Sequence, residues 1–244
     1  MWIFGNLSFW CNALFPKKCK GSSLKSHTFC RRSSAGSLIS TLMVLAPDTL
    51  EDALQQMLPL GALSPGFFLA ERLGTIVDRY LPTDVSPAKN RLYISITRQK
   101  DRKNRIVSSY PNRDYLARCL SASCFIPMYS SGYYAAPPRI DDEPYIDGGY
   151  SNNLPIFDDI PTITVSPFSG SAMIGPQDRN IFEWRMTLGA QSMKVNMQNI
   201  VRGAHSLFPP TSNVLHAYYE MGYRDGLKFL LNNGLLERGE GTEL

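Results

Sequence analysis

The sequence predicts an α/β fold of three layers. Three observations carry this. Stretches that alternate or are rich in β-branched residues (Leu92 to Thr97, Arg105 to Ser109, Thr162 to Ser166) are interleaved with stretches of helical period. No internal repeat and no long linker divides the chain. At 244 residues the chain can bury a substantial core as one large domain, or two at most.

The first 31 residues are hardest to assign; Leu7-Ser8-Phe9-Trp10 suits a strand, and Pro16 to Ser26 is basic without helical period. Ser33 to Gly36 reads as a turn, followed by a helix through Leu38, Ile39, Leu42, Met43 and Leu45 that Pro47 ends. Asp48 with Glu51 resembles a capping box, opening a helix with Leu50, Leu54, Met57 and Leu58 on one face. After the apolar loop Leu63 to Phe68, Leu69, Leu73, Ile76, Val77 and Tyr80 mark a second amphipathic helix. Arg98 to Asn104 connects two strands as a hairpin, and Asn112 caps a helix bearing Leu116, Cys119, Leu120 and Ser123, ended by Pro127. Tyr129 to Pro138 is expected to be irregular, Thr162 to Ser166 a strand and Pro167 to Asp178 a loop. The last third is expected to be helical, with Met193, Met197, Ile200 and Val201 sharing a buried face as far as Pro209-Pro210. Asn213 would cap a final helix with Leu215, Tyr218, Met221 and Tyr223, before a polar tail that frays from Gly239.

Composition excludes several classes. Hydrophobic content of 43% and charge of 19% are those of a globular protein. The net charge of +4 is mild and the basic residues are scattered, so nucleic-acid binding is not implied. Five cysteines without framework spacing suit a reducing compartment, and they show no zinc spacing; Cys119 and Cys124 read as packing and helix-end residues. No run approaches the roughly 18 apolar residues of a spanning helix, and Met1 to Phe15 lacks the basic leader of a signal peptide. Asp158 and Asp159 read as solvated carboxylates rather than metal ligands, and no metal or cofactor is expected.

The chemistry concentrates in Tyr145 to Pro155, where Asp147 ends a short apolar run and is followed by Gly148 and Gly149. Paired glycines give positive φ and let groups approach the main chain, so the turn would present the Asp147 carboxylate at the mouth of a sheet. Its candidate partner is Ser34, in Ser33-Ser34-Ala35-Gly36-Ser37. A serine on a tight strand-to-helix turn is a nucleophile elbow, with Oγ exposed and a helix N-terminus behind it. The usual Gly-x-Ser-x-Gly pattern keeps its second glycine here as Gly36, with Arg32 in place of the first. Ser34, Asp147 and His205 also stand in the chain order of a hydrolase triad, which leaves a histidine-dependent alternative open.

Taken together, Ser33 to Leu38 resembles the elbow of the patatin-like phospholipase family, and Tyr145 to Pro155 resembles its Asp-Gly-Gly signature with following Asn and Leu-Pro. Arg91 to Thr97, Ser123 to Pro127, Ser166 to Gly170, Leu207 to Pro210 and Gly222 to Asp225 extend the resemblance to that family's animal triacylglycerol-lipase branch. It implies a central, mostly parallel sheet with helices on both faces, spanning residues 33–238 between an atypical segment 1–32 and a tail 239–244. It implies a lipid acyl hydrolase in lipid catabolism, with Ser34 as nucleophile, Asp147 as its base, no histidine and an acyl-enzyme. Ser33, Ala35 and Gly36 would support the elbow, and Gly148 and Gly149 the carboxylate. Neutral acylglycerols or phospholipid esters are the implied substrates, met in the cytoplasm on lipid droplets or membranes. Phe67, Phe68, Tyr133 and Tyr134 sit on expected loops and either pack inward, the commoner case, or form an apolar rim for such a surface. Lys17, Lys18 and Lys20 add little to such a contact.

The sequence departs from the family in one place. Members carry a Gly-rich oxyanion loop after the first strand, whereas Trp10 to Lys18 has no glycine and none follows until Gly21. Only 24 positions, Trp10 to Ser33, separate the presumed first strand from Ser34, against about 30 or more for a strand–helix–strand unit. The oxyanion loop, its helix and the strand entering the elbow are therefore expected to be missing or replaced, and the oxyanion donors stay unassigned. A lost donor costs on the order of 10²–10³ in rate, so the expectation is a weak esterase, or alternatively an inactive relative that binds lipid or a lipase partner.

Overall fold

The computed structural model describes residues 30–50, 52–53, 69–130, 135–157, 159, 162–178, 184–188, 191–208 and 210–235. The expectations for Leu7 to Trp10, Phe67, Phe68, Tyr133, Tyr134, Asp158 and the tail lie outside these residues, as does any oxyanion loop within residues 1–29. The elements in order are β1 (Cys30–Ser33), α1 (Ala35–Leu45), α2 (Leu69–Tyr80), β2 (Leu92–Arg98), β3 (Asn104–Val107) and α3 (Arg113–Ser123). They continue with β4 (Arg139–Ile140), β5 (Glu143–Asp147), β6 (Arg185–Leu188), β7 (Gln191–Lys194), α4 (Met197–Leu207) and α5 (Ser212–Asn232).

β2 organises the main sheet. Leu92, Ile94 and Ile96 are fully buried and join the core formed with Leu38, Ile39 and Leu42 of α1 and Leu116 and Leu120 of α3. Those two helices touch each other as well as the sheet, so they share one face. The intervening residues Ser95 and Thr97 are fully buried too, and their hydroxyls bond into the segment that follows Asp147. α3 starts as its sequence requires, with the Asn112 side chain accepting the Tyr115 N–H at 2.8 Å. Leu73, Val77 and Tyr80 give α2 its buried stripe.

Several expectations are corrected. The strand entering the elbow is present: β1 pairs with β2 in parallel, Ser33 opposite Ser95. It is held by the ladder of its neighbour, not by an apolar pattern of its own. The described sheet is mixed and not mostly parallel, since β3 and β5 both run antiparallel to β2, and β4 antiparallel to β5. Asp141 and Asp142, with φ of 50° and 60°, form the tight turn that reverses β4 into β5.

The last third is not all helical. β6 and β7 form an antiparallel hairpin, and Met193 sits on β7, where burial alternates as a strand requires. Thr162 to Ser166 contributes only an isolated bridge, Val165 opposite Ile174, because its polar groups are taken up by the adjoining loop. α5 is capped at Thr211, with Asn213 inside the helix. On α4 the expected burial is reversed: Met197 and Ile200 are 70% and 60% exposed, whereas Asn199 and Arg202 are buried. Polar docking causes this, since Arg202 grips Asp178 at 2.6 and 2.7 Å and Asn199 bonds the Ser169 main chain.

Candidate functional site

The register of β2 explains how two distant residues meet. β1 pairs with positions 92–95 of β2, β5 with positions 96–98, and β3 with positions 94–97. A strand has two edges, so β1 and β5 lie end to end along the edge that β3 leaves free. β1 runs parallel to β2 and β5 antiparallel, and so their C-terminal ends converge. Ser33 stands opposite Ser95 and Asp147 opposite the next residue, Ile96. Ser34 and Asp147 are thereby brought into contact.

Ser34 caps α1 with φ 53° and ψ −140°, a sparsely populated conformation for a non-glycine residue that costs of order 1–3 kcal/mol. Its side chain makes no capping bond to the helix behind it, and its hydroxyl stands close enough to Asp147 to favour the ionised carboxylate. The Ser34 carbonyl accepts from the N–H of Ser37 at 2.8 Å and from its hydroxyl at 2.6 Å, and the Ser34 N–H donates to the hydroxyl of Ser123 at 2.9 Å. Ala35 and Gly36 lie buried in the first turn of α1, whose unpaired N–H groups carry partial positive charge.

Asp147 is only 5% exposed and is fixed at three points. Its N–H donates to the Phe125 carbonyl at 2.9 Å, its carbonyl accepts from the Thr97 hydroxyl at 2.8 Å, and its Oδ1 accepts from the Gly149 N–H at 2.7 Å. Burial pushes its carboxyl up to about 6, against the opposing pull of the Gly149 N–H and the Ser34 hydroxyl. The glycines act through space and not through positive φ, which among the described glycines occurs only at Gly234. A Cβ on Gly148 would lie 2.1 Å from the Ser95 carbonyl oxygen, and one on Gly149 3.1 Å from Asp147 Oδ1.

Of the small polar side chains around the pair, Ser33 was expected to support the elbow, whereas Ser95, Asn104 and Ser151 were given no role from the sequence. The Ser33 hydroxyl donates to the Asn153 carbonyl and the Ser95 hydroxyl to the Asn152 carbonyl, each at 3.1 Å. The Asn104 side chain reaches Ser95 Oγ at 2.8 Å and Ser151 Oγ at 2.9 Å. Hydroxyls at Ser95 and Thr97, alternating with Leu92, Ile94 and Ile96 on a central strand, were the available signal, because a strand covered on both faces is ordinarily apolar throughout. A cavity of about 150 Å³, lined by Leu73, Ser121, Cys124, Phe125, Ser130, Ala136 and Pro138 and so of mixed polarity, adjoins the Phe125 anchor of Asp147.

The other candidates separate from this site. His205 Nδ1 lies 2.8 Å from the Tyr218 hydroxyl, bridging α4 and α5. Asp159 is exposed, and no group of residues able to hold a metal ion occurs among the described residues. Cys119 is fully buried in α3 and Cys124 forms its C-cap. No described helix is long and apolar enough to cross a membrane.

Comparison with known proteins gives consistent matches. The family model for patatin-like phospholipase matches residues 49–160. Human patatin-like phospholipase domain-containing protein 4 is 33% identical over 214 residues, covering 84% of this chain and 83% of that protein. Human patatin-like phospholipase domain-containing protein 2 is 43% identical over 182 residues, covering 73% of this chain and 35% of its own length. Human omega-hydroxyceramide transacylase is 34% identical over 172 residues, covering 70% and 28%. The chain thus spans about a third of the length of these last two relatives.

Proposed function

The chain belongs to the patatin-like phospholipase family, and from that premise we propose that it hydrolyses lipid carboxylic esters with Ser34 as nucleophile and Asp147 as its base. One observation carries this reading: the register of β2 brings a strained elbow serine at a helix N-terminus, its side chain making no capping bond, beside a buried carboxylate. As Ser34 Oγ attacks the ester carbonyl, Asp147 takes the hydroxyl proton and then delivers it to the departing alcohol. Water, deprotonated by the same carboxylate, releases the acyl group from Ser34. A carboxyl raised to about 6 is a stronger base than an ordinary aspartate yet is still ionised at neutral pH. The Ala35 N–H, which follows the nucleophile at the start of α1, would serve as one donor to the developing oxyanion.

Neutral acylglycerols are the proposed substrates, with an acyl segment entering the cavity beside Phe125. Peripheral attachment to lipid droplets or membranes in the cytoplasm is proposed from the exposed apolar residues Trp184, Met197, Ile200 and Phe208. Flotation of wild type with a triacylglycerol emulsion, lost when Met197, Ile200 and Phe208 become Ser, would support the attachment; unchanged flotation would remove it.

The test of the reaction is hydrolysis of a soluble short-chain ester and of emulsified triacylglycerol by wild type, Ser34→Ala, Asp147→Asn and His205→Ala. The proposal expects the first two variants to be inactive and His205→Ala to match wild type. Activity that survives at Ser34→Ala, or that needs His205, would overturn it.

A further inference from the structure

Parallel strands exchange evenly spaced main-chain hydrogen bonds, and the ladder between β1 and β2 stops with Ser33 opposite Ser95. One residue further on, a side chain stands between the strands. The hydroxyl of Ser123 accepts the Ser34 N–H at 2.9 Å and donates to the Ser95 carbonyl at 2.8 Å. Ser123 is the last residue of α3 and is fully buried. The Ser95 oxygen that it engages is also the atom a side chain at position 148 would strike, at 2.1 Å. The elbow, the end of α3 and the Asp-Gly-Gly turn therefore meet at this one carbonyl.

We propose that Ser123 is a positioning residue, whose hydroxyl is spliced between Ser34 and Ser95 so that β1 parts from β2 with Ser34 held in the conformation that aims its Oγ at Asp147. The inference rests on the reading of Ser34 and Asp147 given above. Its physical basis is that a part-buried N–H and a buried carbonyl each need a partner. With the hydroxyl present, both are satisfied one side-chain width apart. With it removed, they are satisfied only by approaching each other, which draws the Ser34 backbone toward β2 and out of φ 53°. The hydroxyl is not spent on α3 itself, whose end is closed by the Cys124 N–H.

The test is a crystal structure and steady-state kinetics of the full chain as wild type, Ser123→Ala and Ser123→Thr. In Ser123→Ala the expected structure has Ser34 at negative φ with its N–H on the Ser95 carbonyl. The expected kcat on a soluble ester falls about 10²-fold, as for an ångström-scale misplacement of a reacting group, with KM within about twofold. Ser123→Thr, which keeps the hydroxyl, is expected to restore the elbow and most of kcat. An unchanged φ at Ser34 in Ser123→Ala overturns the inference, whatever the activity. Should Ser123→Ala not fold, Ser123→Cys, of similar size but a weak hydrogen-bonding group, takes its place with the same expected shift in φ and the same overturning result. Ser34→Ala and Asp147→Asn run alongside: if they stay active the reaction assignment fails, and if they are dead while Ser123→Ala is normal only this inference fails.

Discussion

Replacing Asp147 by Asn should make the protein more stable at neutral pH, by an amount the site fixes. The carboxyl is 5% exposed, and burial raises it from 3.8 to about 6. Below about pH 4 it is protonated in both folded and unfolded chains and has no effect on the balance. Between about 4 and 6 the unfolded chain releases its proton first, so stability falls as pH rises through that window and stays lower above it. A shift of about two pH units at 1.36 kcal/mol each amounts to ~3 kcal/mol. Asparagine keeps an oxygen for the Gly149 N–H and the Ser34 hydroxyl but carries no charge to desolvate. The stability difference between Asp147→Asn and wild type should therefore grow by ~3 kcal/mol between pH 4 and pH 7.5. In melting temperature this is roughly 6–12 °C for a domain of this size. Asp225, also raised to about 6 by burial, titrates alike in both proteins and cancels. Urea unfolding of the pair across this pH range is the assay. A difference that stays flat with pH, or a variant less stable than wild type at pH 7.5, would refute a buried, desolvated carboxylate at this position.

Three further outcomes follow from the same geometry. Gly148→Ala should fold poorly or not at all, because its Cβ would meet backbone atoms of Ser95 at 2.1 and 2.5 Å, whereas Gly149→Ala, 3.1 Å from a side-chain oxygen, should fold and lose activity more than stability; circular dichroism with an ester assay separates them. Arg202→Met should cost about 3–5 kcal/mol in urea unfolding at pH 7 by leaving Asp178 buried and unpaired. Burial pushes the Asp178 carboxyl up, but hydrogen bonds from Arg202, Ser169 and Asn196 outweigh it and hold it at about 2, so wild type should lose this contribution as pH falls from about 4 toward 2. Ester hydrolysis should rise with pH through an apparent pKa near 6 as Asp147 ionises; a pH–rate profile already flat from pH 4.5 upward would contradict the base assignment.

What the sequence disclosed was local chemistry. The Asn112 cap, the stripe Leu73, Val77 and Tyr80, the hairpin across Arg98 to Asn104 and the two glycine-bearing turns each reside in a few neighbouring residues. What it concealed depends on partners far along the chain. Cys30 to Ser33 has no strand pattern and is a strand because β2 offers it a ladder. Met197 and Ile200 look like a core face, yet α4 docks through Arg202 and Asn199, and only the position of Asp178 and Ser169 decides that. Ser123 reads as an ordinary helix residue until its hydroxyl is seen between Ser34 and Ser95. Ser34 and Asp147 drew notice through their local motifs; the end-to-end meeting of β1 and β5 that brings them together was not legible.

The central claim is that Ser34 is a nucleophile made reactive by Asp147. Mass spectrometry of the purified chain after exposure to a fluorophosphonate measures this without assuming a natural substrate. The account predicts a phosphonyl adduct on the Ser34 peptide that forms in wild type, is absent in Ser34→Ala and is slowed by orders of magnitude in Asp147→Asn. An unmodified Ser34 in folded wild-type protein, or labelling that proceeds equally well in Asp147→Asn, would contradict it.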